Sequence, residues 1–248
     1  MELKEFFKQH NKVAVAFSGG TDSAYLLYEA LKNKALAEAY YVSSAFQPEF
    51  EREDAKRFCG ELGVKLNIVD VDVLSCDDVI KNPPDRCYYC KQQIMGNIIK
   101  HAKADGFDIL VDGTNASDDV NDRPGMKALE ELNVLSPLKL CGITKAQVRE
   151  RSKAAGLFTW DKPAYACLAT RIQPGLPIDA GMLKKVEQAE NIMRTMGFTD
   201  FRVRVFHGMA RIQVKSSQMQ EVLEHRQAIV KDVGALFDGV FLDLNERA

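Results

Sequence analysis

The chain has 248 residues, 46% hydrophobic and 27% charged, with a formal charge of −2 at pH 7, the profile of an ordinary globular protein able to bury a substantial core. That balance gives no global attraction to nucleic acid or to acidic membrane surfaces, so any anion must be held by a local site. The start, "MELKEFFKQHNK", lacks the apolar core of a signal peptide and no run reaches membrane-spanning length, so the expected location is the cytoplasm, without membrane contact, and the six cysteines are expected to pack, catalyse or bind metal rather than form disulfides.

In chain order, "KVAVAF" is apolar on both faces, as a central parallel strand is. From Asp22 to Asn33, Ala24, Leu27, Tyr28 and Leu31 fall at helical spacing. A second strand is predicted over Ala37–Val42, then a helix in "PEFEREDAKRFCGELG", closed by Gly63, and a third strand in "VKLNIVDVD". Pro83 and Pro84 lead into a helix over Tyr88–Ala104, and "FDILVDGTN" is a fourth strand ending in a glycine turn. Thr144 and Gln147 have the spacing of a capping box, opening a helix that stops at Gly156. This alternation predicts an α/β fold, a parallel sheet with helices on both faces, over residues 1–172. The pattern then changes. Met182, Val186, Ala189, Met193 and Met196 mark a helix, followed by strands over Asp200–Phe206 and Ala210–Val214, a helix from Ser217 and a strand near Val240. Residues 173–248 thus read as a small α+β domain. There is no internal repeat.

Ligands of open α/β sheets bind beyond the carboxyl ends of the strands. There "SGGTDS", Ser18 to Ser23, joins the first strand to the first helix, and a glycine turn opening a helix offers unpaired N–H groups and a positive dipole end to an anion. Gly19 and Gly20 allow close backbone approach, while Ser18, Thr21 and Ser23 add hydroxyl donors. Asp22 would repel phosphate, and its sensible role is to hold a Mg²⁺ that the phosphates share. Gly113, in the turn after the fourth strand, completes the expected nucleotide-binding set. Neither G-x-x-x-x-G-K-[ST] nor G-x-G-x-x-G occurs, which excludes a Walker-A loop and the dinucleotide fingerprint. A plain helix-capping turn is the competing reading.

Cys87-x-x-Cys90 opens a predicted helix beside Arg86 and Lys91, and Cys167 lies in "KPAYACLATRI". Helix N-termini and cations favour thiolate, the form needed for metal binding or sulfur chemistry. Core packing, a zinc site, a redox pair and an iron–sulfur cluster all remain open on the residues alone. Cys59, Cys76 and Cys141 carry no such context, and Cys59 falls within a predicted helix.

Ser18 to Ser23 resembles the SGGxDS motif of the PP-loop ATP pyrophosphatases, which cleave ATP between the α and β phosphates and place AMP on a substrate oxygen. "NPPDRCYYCK", "DGTNASDDVNDRPG", "KPAYACLATRI" followed by "PG", and "FRVRVFHGMARI" together resemble the LarE group of PP-loop sulfur transferases, from about Val13 to the C-terminus. The resemblance implies ATP and Mg²⁺ as cofactors and adenylylation of a carboxylate on a small nucleotide, pyridinium-3,5-biscarboxylic acid mononucleotide. Sulfur then replaces the activated oxygen, supplied by a sulfide or persulfide donor. Of the family's two patterns, one gives up the sulfur of a single cysteine, while the other holds a [4Fe–4S] cluster on three. Cys87, Cys90 and Cys167 match the second and would ligate the cluster. Arg171, Arg202 and Arg204 are candidates to hold the substrate's phosphate and carboxylates, since arginine binds such groups bidentately. A solvated strand face is the other reading of Arg202 and Arg204. The resemblance makes "DDVNDRPG" a substrate loop and adds Arg123. A homo-oligomer is expected. The rivals are a tRNA-thiolating PP-loop enzyme, disfavoured by the acidic charge, a sacrificial Cys167, and a non-enzymatic nucleotide or iron–sulfur carrier.

Overall fold

The computed structural model describes residues 1–118 and 123–247, with the Arg123 side chain also outside the described part. The chain forms two units, Met1–Val73 with Asp85–Pro163, and Leu74–Pro84 with Ala164–Ala248.

In the first unit α1 (Leu3–Gln9) precedes β1 (Lys12–Ala16), α2 (Thr21–Lys32), β2 (Leu36–Ser43), α3 (Glu49–Leu62) and β3 (Leu66–Asp70). After the excursion into the second unit come α4 (Arg86–Ala104), β4 (Leu110–Val111), α5 (Arg123–Glu131) and α6 (Lys145–Ala154). The strands run parallel in the order β3-β2-β1-β4. Side chains alternate across the pleat. Val13, Val15, Ala39 and Tyr41 join Leu27 of α2 and Phe58 of α3 in one core, while Tyr40 and Val42 meet Ile94 and Ile98 of α4 around a cavity. Helices therefore cover both faces, as the apolar runs of β1 and β2 require. Gly63 ends α3 at φ 64°, where a Cβ would be strained. The expected fourth strand is shorter than "FDILVDGTN", because Asp112 onwards turns away, and the edge is extended by a parallel bridge from Val111 to Leu135.

The second unit contains α7 (Ala180–Thr195), β5 (Arg202–Phe206), β6 (Met209–Gln213), α8 (Met219–Glu224), α9 (Arg226–Asp232) and β7 (Val240–Leu242). Its sheet has the order β5-β6-β7, antiparallel between β5 and β6 and parallel between β6 and β7. Met193, Phe198, Val203, Ile212, Val222 and Ile229 form a separate core. The single helix expected from Ser217 divides at His225. The passage between units comes at Pro163, ahead of the expected residue 172, because the segment after Pro163 bonds into α7 and β5. Leu74–Pro84 also belongs here. Asn82, only 1% exposed, donates to the carbonyls of Gln173 and Leu176 at 2.9 and 3.1 Å, a tie that sequence patterning does not reveal. No helix among the described residues is long and apolar enough to cross a membrane.

The capping box at α6 is formed. Gln147 N donates to Thr144 Oγ1 at 3.4 Å, and Thr144 N to Gln147 Oε1 at 2.9 Å. Thr144→Ala is therefore expected to lower unfolding free energy by about 1 kcal/mol, read as a reduced urea midpoint with unchanged slope.

Candidate nucleotide site and cysteine segments

The turn from β1 to α2 is closed by its own hydroxyls. Ser23 Oγ accepts from Ser18 N and donates to the Gly20 carbonyl, both at 3.2 Å. Gly19 has φ 72°, and a Cβ there would meet the Glu51 carbonyl at 3.0 Å. Gly113 leans on the first turn of α2, where a Cβ would lie 2.8 Å from Ser23 N. No side chain caps α2, so the helix start presents backbone N–H groups to an anion. The Thr21 hydroxyl, expected as a ligand donor, instead donates to the Thr159 carbonyl at 2.8 Å, which leaves Thr21 its backbone N–H for a ligand. Ser18 is exposed.

Asp22 is held by Asn115 Nδ2 at 3.3 Å and by an ion pair with Lys145, the first residue of α6. Sequence reading missed both partners; the capping box placed Lys145 at a helix start but said nothing of what that start faces. Beside the turn lies a cavity of about 110 Å³ with walls from Phe17, Ser18, Val42, Ile94, Met95 and Ile98, at the carboxyl ends of β1 and β2. Its largely apolar walls suit an aromatic ring. The one available signal was position, immediately after two buried strands.

Cys87 and Cys90 lie in the first turns of α4, which has no side-chain cap, and both are half-buried. The guanidinium of Arg86 comes within 3.9 Å of Cys87 Sγ and packs 5.9 Å from the centre of the Phe46 ring. Tyr88, between the cysteines, donates to Glu131 at 2.7 Å. Cys167 belongs to the second unit, immediately before the helical turn Leu168–Arg171, and is also half-buried. All six cysteines are outside disulfides. Burial pushes the Cys59 thiol up to about 12, which removes it from thiolate chemistry. Among the described residues no group of three or more His, Cys, Asp or Glu side chains is gathered as a metal site.

Arg171, expected at the substrate, is instead buried in a network of its own. Its Nε and Nη2 donate to Glu190 at 2.7 and 3.2 Å, and its Nη1 to the Ala166 carbonyl at 2.9 Å and to Thr170 Oγ1 at 2.8 Å. Glu190 also accepts from Val203 N at 3.1 Å and from Tyr165 at 2.5 Å. All three guanidinium nitrogens of Arg171 thus donate to protein acceptors, and the residue holds the Cys167 turn. Arg202 donates to the carbonyls of Phe201 and Ala164, both at 2.6 Å. Arg204 donates to Gln213 and the Thr170 carbonyl, also at 2.6 Å. Neither forms an ion pair among the described residues. Burial, and then the charge of Arg171, lower Arg202 to about 10 and shift Arg204 downward. The second unit therefore holds buried positive charge beyond what Glu190 balances, an arrangement that favours a bound anion. The expected Arg123 contact lies outside the described residues.

Two outcomes follow. Glu190→Gln leaves the Arg171 guanidinium buried without a counter-charge and is expected to cost about 3–5 kcal/mol of stability, measured by chemical denaturation. Gly113→Ala forces the first turn of α2 to shift, and MgATP affinity is expected to fall about tenfold or more in calorimetric titration.

The chain matches no protein-family model. It is 34% identical over 225 residues to an uncharacterized protein of Synechocystis sp., covering 90% of this chain and 83% of that one. It is 28% identical over 144 residues to the tRNA-specific 2-thiouridylase MnmA of Thermotoga petrophila, covering 48% of this chain and 40% of that protein. Identity to the pyridinium-3,5-bisthiocarboxylic acid mononucleotide synthase of Lactiplantibacillus plantarum is 30% over 240 residues, 96% of this chain and 87% of that enzyme. With a glycine turn at the end of β1 in a parallel sheet and a match that runs through both units, the chain belongs to the LarE-type family of PP-loop, ATP-dependent sulfurtransferases.

Proposed function

We propose that this chain converts the carboxylates of pyridinium-3,5-biscarboxylic acid mononucleotide into thiocarboxylates, using ATP for activation. The observation that carries the reading is the turn Ser18–Ser23, whose two glycines open onto the uncapped start of α2 beside Asp22. The polyphosphate of ATP would lie on the Gly20 and Thr21 N–H groups, with the purine in the apolar cavity beside Phe17 and Val42. Asp22 would hold Mg²⁺, and Lys145 stands where it can share that carboxylate or follow the phosphates.

A carboxylate oxygen of the substrate attacks the α-phosphorus, the bond to the β-phosphate oxygen breaks, and pyrophosphate leaves. Hydrosulfide then attacks the carbonyl carbon, the bond to the AMP oxygen breaks, and the sulfur's proton passes to solvent. Without the adenylate the carboxylate oxygen is too poor a leaving group. Arg204, half-buried and without a carboxylate partner among the described residues, and Arg202 beside it supply charge for the substrate's phosphate or second carboxylate.

Cys87, Cys90 and Cys167 would supply the thiolate ligands of a [4Fe–4S] cluster. All three are thiols with partial exposure, and two lie in the opening turns of a helix, where thiolate is favoured. Such a cluster, if held by these three thiolates, would have one iron without a protein ligand and would supply a place to carry sulfide. Protein purified without oxygen is expected to carry about four irons and four labile sulfides per chain, lost in Cys87→Ala, Cys90→Ala and Cys167→Ala. Asp22→Asn is expected to abolish substrate-dependent pyrophosphate release while iron content stays unchanged. Iron-free protein that turns over once, with Cys167 losing its sulfur by mass spectrometry, would replace the cluster with a sacrificial cysteine. Pyrophosphate release with tRNA, but not with the pyridinium nucleotide, would overturn the substrate.

A further inference from the structure

Lys162 follows the short helical segment Phe158–Asp161 and reaches back to the glycine turn. Its Nζ donates to the Gly19 carbonyl at 3.2 Å and pairs with Asp54 of α3 at 2.7 Å, with only 13% of the side chain exposed. The Phe50 ring centre lies 5.5 Å from the ammonium. Arg149 of α6 fixes the backbone that carries this lysine, donating to the carbonyls of Trp160 and Lys162 at 2.9 and 2.8 Å. Thr21 joins the same segment through Thr159. One stretch of chain thus grips the turn at Gly19 and again at Thr21.

Two glycines in succession leave the peptide between them free to rotate, because no Cβ restricts either side. Something outside the turn must choose its orientation. In a trans peptide the carbonyl and the following N–H point in opposite directions, so a cation on the Gly19 oxygen sends the Gly20 N–H to the opposite side. There that N–H meets the exposed Ser18 hydroxyl at 3.4 Å, a long contact that a phosphate oxygen would replace with a shorter, charge-assisted bond.

We propose that Lys162 is the positioning residue of the phosphate loop, holding the Gly19 oxygen against Asp54 so that the Gly20 N–H faces the polyphosphate of ATP. The proposal rests on the nucleotide reading of this turn. It assigns Lys162 no contact with the substrate; Lys162 acts through the peptide it pins.

The test compares binding of MgATP, magnesium pyrophosphate and adenosine to the full chain by calorimetric titration. Lys162→Met is expected to weaken MgATP and pyrophosphate about tenfold or more and to leave adenosine unchanged. A merely structural role would weaken all three together. Asp54→Asn, which loosens the lysine without removing it, is expected to give a smaller loss in the same direction, and Lys162→Arg to recover part of the affinity. Undiminished pyrophosphate binding by Lys162→Met, or equal loss for adenosine, overturns the proposal. So does tighter pyrophosphate binding by Asp54→Asn, which would mean that a released Lys162 binds phosphate itself. If Lys162→Met does not fold, as judged by circular dichroism, the Asp54→Asn and Lys162→Arg pair decides. A wild-type chain that binds neither MgATP nor pyrophosphate would instead sink the nucleotide reading.

Discussion

Backbone meets backbone at the turn between β1 and α2, and the rest of the first unit is arranged around that contact. The Glu51 carbonyl of α3 closes on Gly19, and the exit of β4 closes on Ser23 through Gly113. No side chain fits at either place, so the turn keeps its shape only while α3 and the chain after β4 stay in position. In return, the start of α2 is left uncapped and its N–H groups face outward. A helix start without a capping side chain lacks a stabilisation of about 1 kcal/mol, which an anionic ligand can replace. The electrostatics agree: Asp22 is the one carboxylate in the turn, and it is already matched by Lys145.

The second unit has a comparable dependence on Arg171 and Glu190. Both side chains are essentially excluded from water. A pair so buried adds little net stability, because desolvation offsets the attraction. Its effect is on shape. By taking the carbonyl of Ala166 and the hydroxyl of Thr170, Arg171 fixes the backbone on either side of Cys167. The same glutamate binds Val203 N at the start of β5, so the cysteine turn and the strand bearing Arg202 and Arg204 are set by one carboxylate.

Much of the first unit was legible in the sequence. The apolar runs of β1 and β2, the left-handed Gly63 and the capping box at Thr144 each carry their own local cause, and each element stands within a few residues of its expected place. The strand "FDILVDGTN" was overextended because it was carried beyond Val111, its last apolar residue, into the turn where the Asp112 carboxylate accepts from Ser136 at 2.6 Å. The composition shift in the sequence falls at residue 172, after the CLATR turn, whereas the compact units divide after Pro163. In the site, the glycines and Asp22 were readable from their spacing, but their partners Asn115, Lys145 and Lys162 were not.

By itself the sequence determined what acts through the residue's own chemistry or immediate neighbours. That covers the glycine turn at a strand end, the carboxylate within it, the thiols at the opening of a helix and the arginines alternating on β5. Only the tertiary structure decided which side chains face which. It turned the Thr21 hydroxyl to Thr159, the Arg171 guanidinium to Glu190 and the Lys162 ammonium to Gly19, and it sent Leu74–Pro84 to the second unit. The reason is physical. A strand or a turn is specified by a few consecutive residues, whereas the partner of a buried donor is whatever acceptor the packed chain brings within 3 Å or so, and that acceptor can lie more than a hundred residues away.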